Sequence, residues 1–500
     1  MGIVAKQTIK GSVWSYLGVL IGFITSTYLY ANYLTPEIVG LFGLLIAITT
    51  ITGSVASLGV NGITSRLFPY FRTQDRTHNG YLFISTIPQI VGLIIFVILY
   101  FIFEDALIQN NIEKSSLLVN YVRLIIPLTI FTLIFNYLDT YNQLLYDAVL
   151  GAFLQEFFQR FLILLVVLLF AFKFISIDQL VYLYVFAVCA KALIIFFFLY
   201  FRGEISFKPN LAFIDKKFRK EMINVAFYYI IGGLGSLVVF NIDKIVINQL
   251  LDLKNTGVYT IAFYFGTLVI IPSRLLLKIA GTLIADAWKQ NDLKKIKDIY
   301  YKSCINQFLI GGFLFLGIWA NIDNILMILG PDYAESKWVI FFVGLGYLFD
   351  MMTGVNEAII GNSKHYRVLF IFIALLIFIV VGALYVFIPL WGITGAAIAI
   401  SLALFLNNLM RYIYLWKKFG WQPFNWKFVV VALFLMFLYF MTSLIPQQEV
   451  VLDILIRGIV ITLLMFGFLY IIPISNDASV MFTNTMNTII QRISKKKVKR

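Results

Sequence analysis

The chain has 500 residues, of which 61% are hydrophobic and 13% charged, and its mean hydropathy is +0.90. That balance excludes a soluble globular protein, and the lack of alternating apolar and polar stretches excludes a β-barrel. The formal net charge of +14 does not point to nucleic acid, because the Lys and Arg residues are spread over short segments between apolar runs, a pattern that suits an anionic membrane surface.

Apolar runs of about 20 residues, long enough to cross a ~30 Å hydrocarbon core as a helix, recur along the chain. They predict an all-α integral membrane protein with fourteen spans: 12–33, 38–64, 81–103, 118–142, 152–172, 179–201, 222–250, 257–283, 301–321, 337–361, 367–389, 393–415, 427–445 and 453–473. No room is left for a folded soluble domain. The first run follows Lys6 and Lys10, but it is too long for a cleaved signal and lacks a small-residue cleavage site. The start MGIVAK fails the myristoylation pattern, since Lys6 stands where Ser or Thr is needed.

Cytoplasmic loops keep Lys and Arg, and short translocated loops shed them. On one side fall Lys6, Lys10, Arg66, Arg72, Arg76, the segment 202–220, Lys289, Lys294, Lys295, Lys297, Lys364, Lys417, Lys418 and the tail from Arg492 to Arg500. The other side has little beyond Lys114, Lys173, Lys254 and Lys337. Both termini are therefore expected in the cytoplasm. Cys189 and Cys304 are far apart in or beside spans, so no disulfide is expected. His78 and His365 stand alone in loops, so no metal site is expected.

A faint repeat organises the chain. YLTPEIVGLF (33–42) joins the first two spans, and LLDLKNTGVY (250–259) joins the seventh and eighth. In each, a leucine (Leu34, Leu251) precedes by six positions a Gly-x-aromatic (Gly40 and Phe42, Gly257 and Tyr259). Two parallel six-span copies follow, related by a pseudo-two-fold axis with a cavity expected between them. The expected boundaries are an N-lobe at 1–201, a basic linker at 202–221, a C-lobe at 222–415, two extra spans at 427–473 and a basic tail at 474–500. The uncharged stretch IPLWGITGAAIAIS (388–401) predicts a tight hairpin between the eleventh and twelfth spans. Pro389 ends a helix, Trp391 suits the interface, Gly392 and Gly395 permit the reversal, and the alanines allow close helix contact.

Charges within spans are expensive and tend to face a cavity or a partner. Arg457, Arg411, Lys244 and Lys278 lie near predicted span ends and are expected to snorkel. Arg123, Asp139, Glu156, Arg160, Lys191, Asp243, Arg274, Asp350 and Glu357 remain. Tyr228, Gly232, Gly235 and Asp243 share one face of the seventh span, with Lys244 pointing elsewhere. Gly346, Asp350, Gly354, Glu357 and Gly361 form a stripe on the tenth. Packing of small residues with ion-paired acids accounts for these stripes as well as a transport role does. A salt bridge to Asp139 or Glu156 is the structural alternative for Lys191 and Arg123.

Four stretches in their order, LTPEIVGLFGL, NIDKIVINQLLDLKNTGVYTIAF (241–263), GPDYAESKWVI (330–340) and IPLWGITGAAIAIS followed by LWKKFG, make the chain resemble the polysaccharide transporter family of the multidrug/oligosaccharidyl-lipid/polysaccharide (MOP) exporter superfamily. The resemblance covers residues 6–420. It implies a flippase that moves undecaprenyl-pyrophosphate-linked oligosaccharide, such as an O-antigen unit, across the bacterial inner membrane by alternating access, without ATP hydrolysis by this chain and without a cofactor. Arg123, Lys191 and Arg274 would then meet substrate phosphate in the cavity. Asp243, Asp350 and Glu357 would be coupling or gating carboxylates for Na⁺ or H⁺. The implied partners are the lipid-linked oligosaccharide, anionic membrane lipid, and the polymerase and chain-length machinery. A cation-coupled multidrug antiporter of the same superfamily is the alternative. A membrane polymerase or ligase fits less well, because the outer loops are short and lack His.

Overall fold

The computed structural model describes residues 3–474 except Asp75 and Pro473, so the basic tail from Ser475 lies outside the described residues, as do a few side chains, Lys278 among them. Among the described residues every regular element is a helix. This is what lipid demands of a backbone that has no water to satisfy it.

Among the described residues, eleven helical stretches are long and apolar enough to cross a membrane, and two of the predicted runs are broken by the backbone. The run 222–250 divides into Lys216–Val239 and Ile242–Leu250, with Asn241 at φ −134° between them. The run 337–361 divides into Ser336–Met352 and Asn356–Gly361 around Gly354 at φ +63°. The two predicted stripes are corrected accordingly: Asp243 is on a different helix from Tyr228, and Glu357 is on a different helix from Asp350.

The runs 367–389 and 393–415 join in one helical stretch, Arg367–Phe419, which is broken at Trp391 (φ −134°) and Gly392 (φ +57°, ψ −139°). A Cβ on Gly395 would overlap the Phe387 carbonyl and lie 3.0 Å from the Ile388 nitrogen. Eight residues of straight helix span about 12 Å, so the chain folds back sharply here. The expected hairpin is present.

By packing, the chain falls into two compact units, Met1–Tyr264 with Ile373–Ala396 and Phe265–Phe372 with Ala397–Arg500. In the first unit, Phe42 stacks on Tyr184 with ring centroids 3.7 Å apart, and Phe68, Phe71, Tyr81 and Tyr141 form a buried edge-to-face cluster. Such rings hold helices together by contact area and quadrupole geometry where lipid removes most of the hydrophobic drive. The first span contains a π-helical turn at Ile24–Leu29, and a second, Phe153–Phe158, leads directly into the helix Gln159–Ala171.

In the second unit, the last two spans, Trp426–Ser443 and Val450–Ile471, pack on Leu293–Trp319 and Ile322–Leu329. Phe428 stacks on Phe308. Asp453, 1% exposed, accepts from Asn324 Nδ2 at 2.6 Å and from Arg457 Nε at 2.7 Å. The remaining Arg457 nitrogens donate to the Thr442 and Ile445 carbonyls. Arg457 therefore clamps helix ends instead of snorkelling.

Candidate functional site: a glycine seam and two membrane-embedded charge networks

The two copies of the repeat meet within the first unit. Thr35 stands at the N-cap of Pro36–Ala56 with Pro36 in the first turn, where a missing N–H is harmless. A Cβ on Gly257 would overlap the Pro36 carbonyl oxygen and sit 2.6 Å from its carbon; a Cβ on Gly40 would overlap the Leu253 carbonyl oxygen and sit 3.1 Å from its carbon. In the repeat, Pro36 corresponds to Leu253 and Gly40 to Gly257, so each glycine meets the partner of the other. Gly43 meets its own counterpart, Thr260, whose Oγ1 lies 2.6 Å from a Cβ placed there. Reciprocal contact of this kind is the signature of a two-fold interface. Nearby, Asn248 Nδ2 donates to Asn111 Oδ1 at 2.8 Å, and Ser115 Oγ donates to Asn248 Oδ1 at 2.8 Å, all three buried.

Lys191, on the helix Ile177–Phe201, is 8% exposed, and its Nζ lies 4.4 Å from the Phe135 ring centroid. A cation over an aromatic face recovers part of the solvation it has lost. A salt bridge to Asp139 or Glu156 is the structural alternative to a cavity role for it. The structure puts both close enough to act on it by charge, but neither forms a direct pair with it. Asp139 Oδ2 accepts from Gln143 at 2.9 Å, while its Oδ1 is buried without a hydrogen-bond partner. Glu156, on the π turn, holds Arg160 at 2.8 Å. Gly18 and Gly22 of the first span lie against the Glu156 backbone and the Arg160 side chain. Two cations and two carboxylates thus share one region of the first unit.

The other proposed cations lie elsewhere. Arg123 sits on a short 3-10 turn and pairs with Glu104 at 2.8 Å, with its own side chain 79% exposed. Its carboxylate partner is thus neither Asp139 nor Glu156. Arg274 is exposed on Ile271–Lys289 and makes no ion pair among the described residues. Asp243 is fully buried, accepts from the Tyr259 hydroxyl at 2.7 Å and lies 3.6 Å from Lys244 Nζ. Lys244, 7% exposed, also faces the Phe263 ring at 4.6 Å. It neither snorkels nor points away from Asp243.

Around the broken tenth span, Asn408 is the centre. Its Nδ2 donates to Asp350 Oδ1 at 2.8 Å, and its Oδ1 accepts from Thr353 Oγ1 at 2.8 Å and Asn356 Nδ2 at 3.0 Å. Glu357 is exposed and pairs with Arg411 at 3.0 Å. Arg411 is itself 6% exposed and so is not a snorkelling residue, while its Nε is buried without a hydrogen-bond partner. Asn408 and Arg411 were absent from the sequence-based site. The paired amides Asn407 and Asn408 inside an apolar span were the available signal. The joining of Glu156 and Arg160 by a π turn left no trace in the 3.6-residue periodicity.

Among the described residues no group of three or more His, Cys, Asp or Glu side chains is placed to hold a metal, and both cysteines are free and buried.

Many apolar helices and buried interior charge define a multi-pass membrane protein. The structure of a lipid II flippase MurJ in an inward closed conformation is similar over 92% of this chain and 99% of that one, with a TM-score of 0.66 at 15% identity. An inward-facing multidrug resistance MATE family transporter of the MOP superfamily is similar over 84% of this chain and 99% of that one, with a TM-score of 0.62 at 14% identity. The profile of the polysaccharide biosynthesis protein family matches residues 4–284, and the chain belongs to that family. The capsular polysaccharide biosynthesis protein CapF of Staphylococcus aureus is 24% identical over 230 residues, a match that spans 42% of this chain and 57% of that protein.

Proposed function

We propose that this chain is a flippase for undecaprenyl-pyrophosphate-linked oligosaccharide, working by alternating access in the bacterial inner membrane with both termini in the cytoplasm. The observation that carries the reading is a buried lysine, Lys191, held over the Phe135 ring inside the segment that matches the polysaccharide biosynthesis family. A pyrophosphate needs cations that can leave their present partners, and Lys191 has an aromatic ring and two indirect carboxylates in place of a committed ion pair. Arg123 and Arg274, both exposed, are proposed to meet the substrate at other stages of its passage. The reciprocal glycine seam supplies the contact between repeats that alternating access must make and break.

Asp350 and Glu357 are proposed to take up Na⁺ or H⁺, and Asp243 to hold its helix through Lys244 and Tyr259. The proposed partners are anionic lipid and the polymerase and chain-length machinery of the same pathway. A cation-coupled multidrug antiporter is favoured by the shared fold alone.

Deleting the gene and complementing with Lys191→Ala tests the proposal. The expected result is loss of surface glycan with accumulation of lipid-linked precursor, restored by the wild-type gene and not by the variant. Normal glycan with raised drug sensitivity would establish the antiporter reading.

A further inference from the structure

Far from these networks in the chain, the second unit has a cavity of about 190 Å³ at the Lys-rich end of Leu293–Trp319, lined chiefly by Tyr301, Lys302, Ile305, Asn425, Lys427 and Phe428. We propose that this cavity is a discrete binding site for the phosphodiester headgroup of an anionic phospholipid. The inference rests on the chain being a membrane protein and not on the flippase reading.

Charge is the first argument. Lys427 Nζ donates to the Ile474 carbonyl at 2.8 Å, which leaves two of its three protons for another acceptor. Lys302 faces the same space. Its pairing with Asp298 at 2.8 Å involves side chains 50% and 59% exposed, so water screens that pair and a better-placed anion can compete for the ammonium. Lys297, outside the lining, lies over the Tyr301 ring with its Nζ 5.4 Å from the centroid. The two lining lysines, Lys302 and Lys427, give the cavity its positive character.

Polar geometry is the second. The Tyr301 hydroxyl accepts from the Gln422 N–H at 3.0 Å, so its own proton is available to donate. Asn425 caps Trp426–Ser443 by accepting from the Lys427 N–H at 3.0 Å. The cavity thus also meets a helix N-terminus, where an anion is favoured.

Shape and level are the third. At about 190 Å³ the cavity is smaller than the ~300–1,000 Å³ that encloses a drug-sized ligand, so it suits a headgroup and not a whole lipid or a sugar chain. Ile305 and Phe428, each 8% exposed, give it an apolar wall for the glycerol. From its edge, Val429, Leu433, Met436 and Phe440 form an exposed stripe down the thirteenth predicted span, a track for an acyl chain. Trp426, 65% exposed, marks the interfacial level at which a headgroup lies. A soluble phosphate would have no use for the stripe.

The test uses the purified full-length protein in detergent, read by native mass spectrometry with dioleoyl-phosphatidylglycerol, dioleoyl-phosphatidylcholine and inorganic phosphate in separate arms. Phosphatidylglycerol should be retained and phosphatidylcholine should not. The double variant Lys302→Gln, Lys427→Gln should weaken retention about 30-fold, on the worth of a lysine near an anionic surface. Lys294→Gln with Lys295→Gln, which removes equal charge outside the cavity, should change it little. Equal loss in both double variants, equal retention of phosphatidylcholine, or displacement of the lipid by equimolar inorganic phosphate would each overturn the assignment. If the first double variant fails to fold, phosphatidylglycerol with brominated chains decides the matter on the native protein: it should quench a fluorescence component that Trp426→Phe removes, and quenching unchanged by that exchange refutes the site.

Discussion

Replacing Gly257 by alanine should push the seam open. The new Cβ would lie 2.6 Å from the Pro36 carbonyl carbon and 2.9 Å from the Gly40 nitrogen, where ordinary contact begins at 3.4 Å. Both neighbours are backbone atoms in helices and the Pro36 carbonyl oxygen is nearer still, so the seam must separate by more than an ångström. Overpacking of this kind costs about 1–3 kcal/mol, and the helix propensity gained by alanine returns roughly 1 kcal/mol in every arrangement of the lobes alike. Because that gain is common to all arrangements, the seam-closed one alone loses about 1–3 kcal/mol, a shift of roughly 5- to 150-fold in its population. Val258, 4% exposed beside the glycine, reports the change when exchanged for cysteine, and the two native cysteines are buried. A membrane-impermeant maleimide added outside cells should label Val258→Cys about tenfold faster when Gly257→Ala is also present. Unchanged labelling together with raised thermal stability would refute the reasoning, since the helix gain would then be the whole effect.

Asp350→Asn keeps an oxygen to accept the Asn408 bond of 2.8 Å, so folded protein should be nearly unchanged while flipping and its ion dependence are impaired; intact transport in vesicles would make Asp350 a packing residue. Cysteine at Asn110 should be labelled from outside the cell and cysteine at Asn210 should not, and the reverse pattern would invert the topology. Truncation after residue 420 should leave a folded core with a lower melting temperature, because Asn324, 2% exposed, loses Asp453, and Phe308 loses its stacked partner. Complete degradation of the truncated chain would place the last two spans inside the core.

What was legible in the sequence was whatever lipid itself enforces. Span length, helix content and the 388–401 hairpin follow from burying backbone in hydrocarbon and from the few residues able to reverse a chain tightly. The breaks at Asn241 and Gly354 were not legible, because one polar or small residue in an apolar run is tolerated equally in a straight helix and in a divided one. Position along a span also misled for Lys244, Arg411 and Arg457. Each lies near a predicted end, but its partner (Asp243, Glu357 or Asp453) holds it in the protein. The seam was half visible: its motifs aligned as a repeat, while the fact that each glycine meets the other copy's carbonyl required three dimensions.

The clamp on Asp453 bears on how the protein is made. Asn324 leaves the ribosome well over a hundred residues before Asp453 does, so its amide must enter the bilayer, or wait at its edge, without the carboxylate that later satisfies it. Arg457 is emitted one helical turn after Asp453 and closes the ring of bonds to Thr442 and Ile445. Final packing of the ninth-span region is therefore a late event in biogenesis, set by the arrival of Asp453 and Arg457.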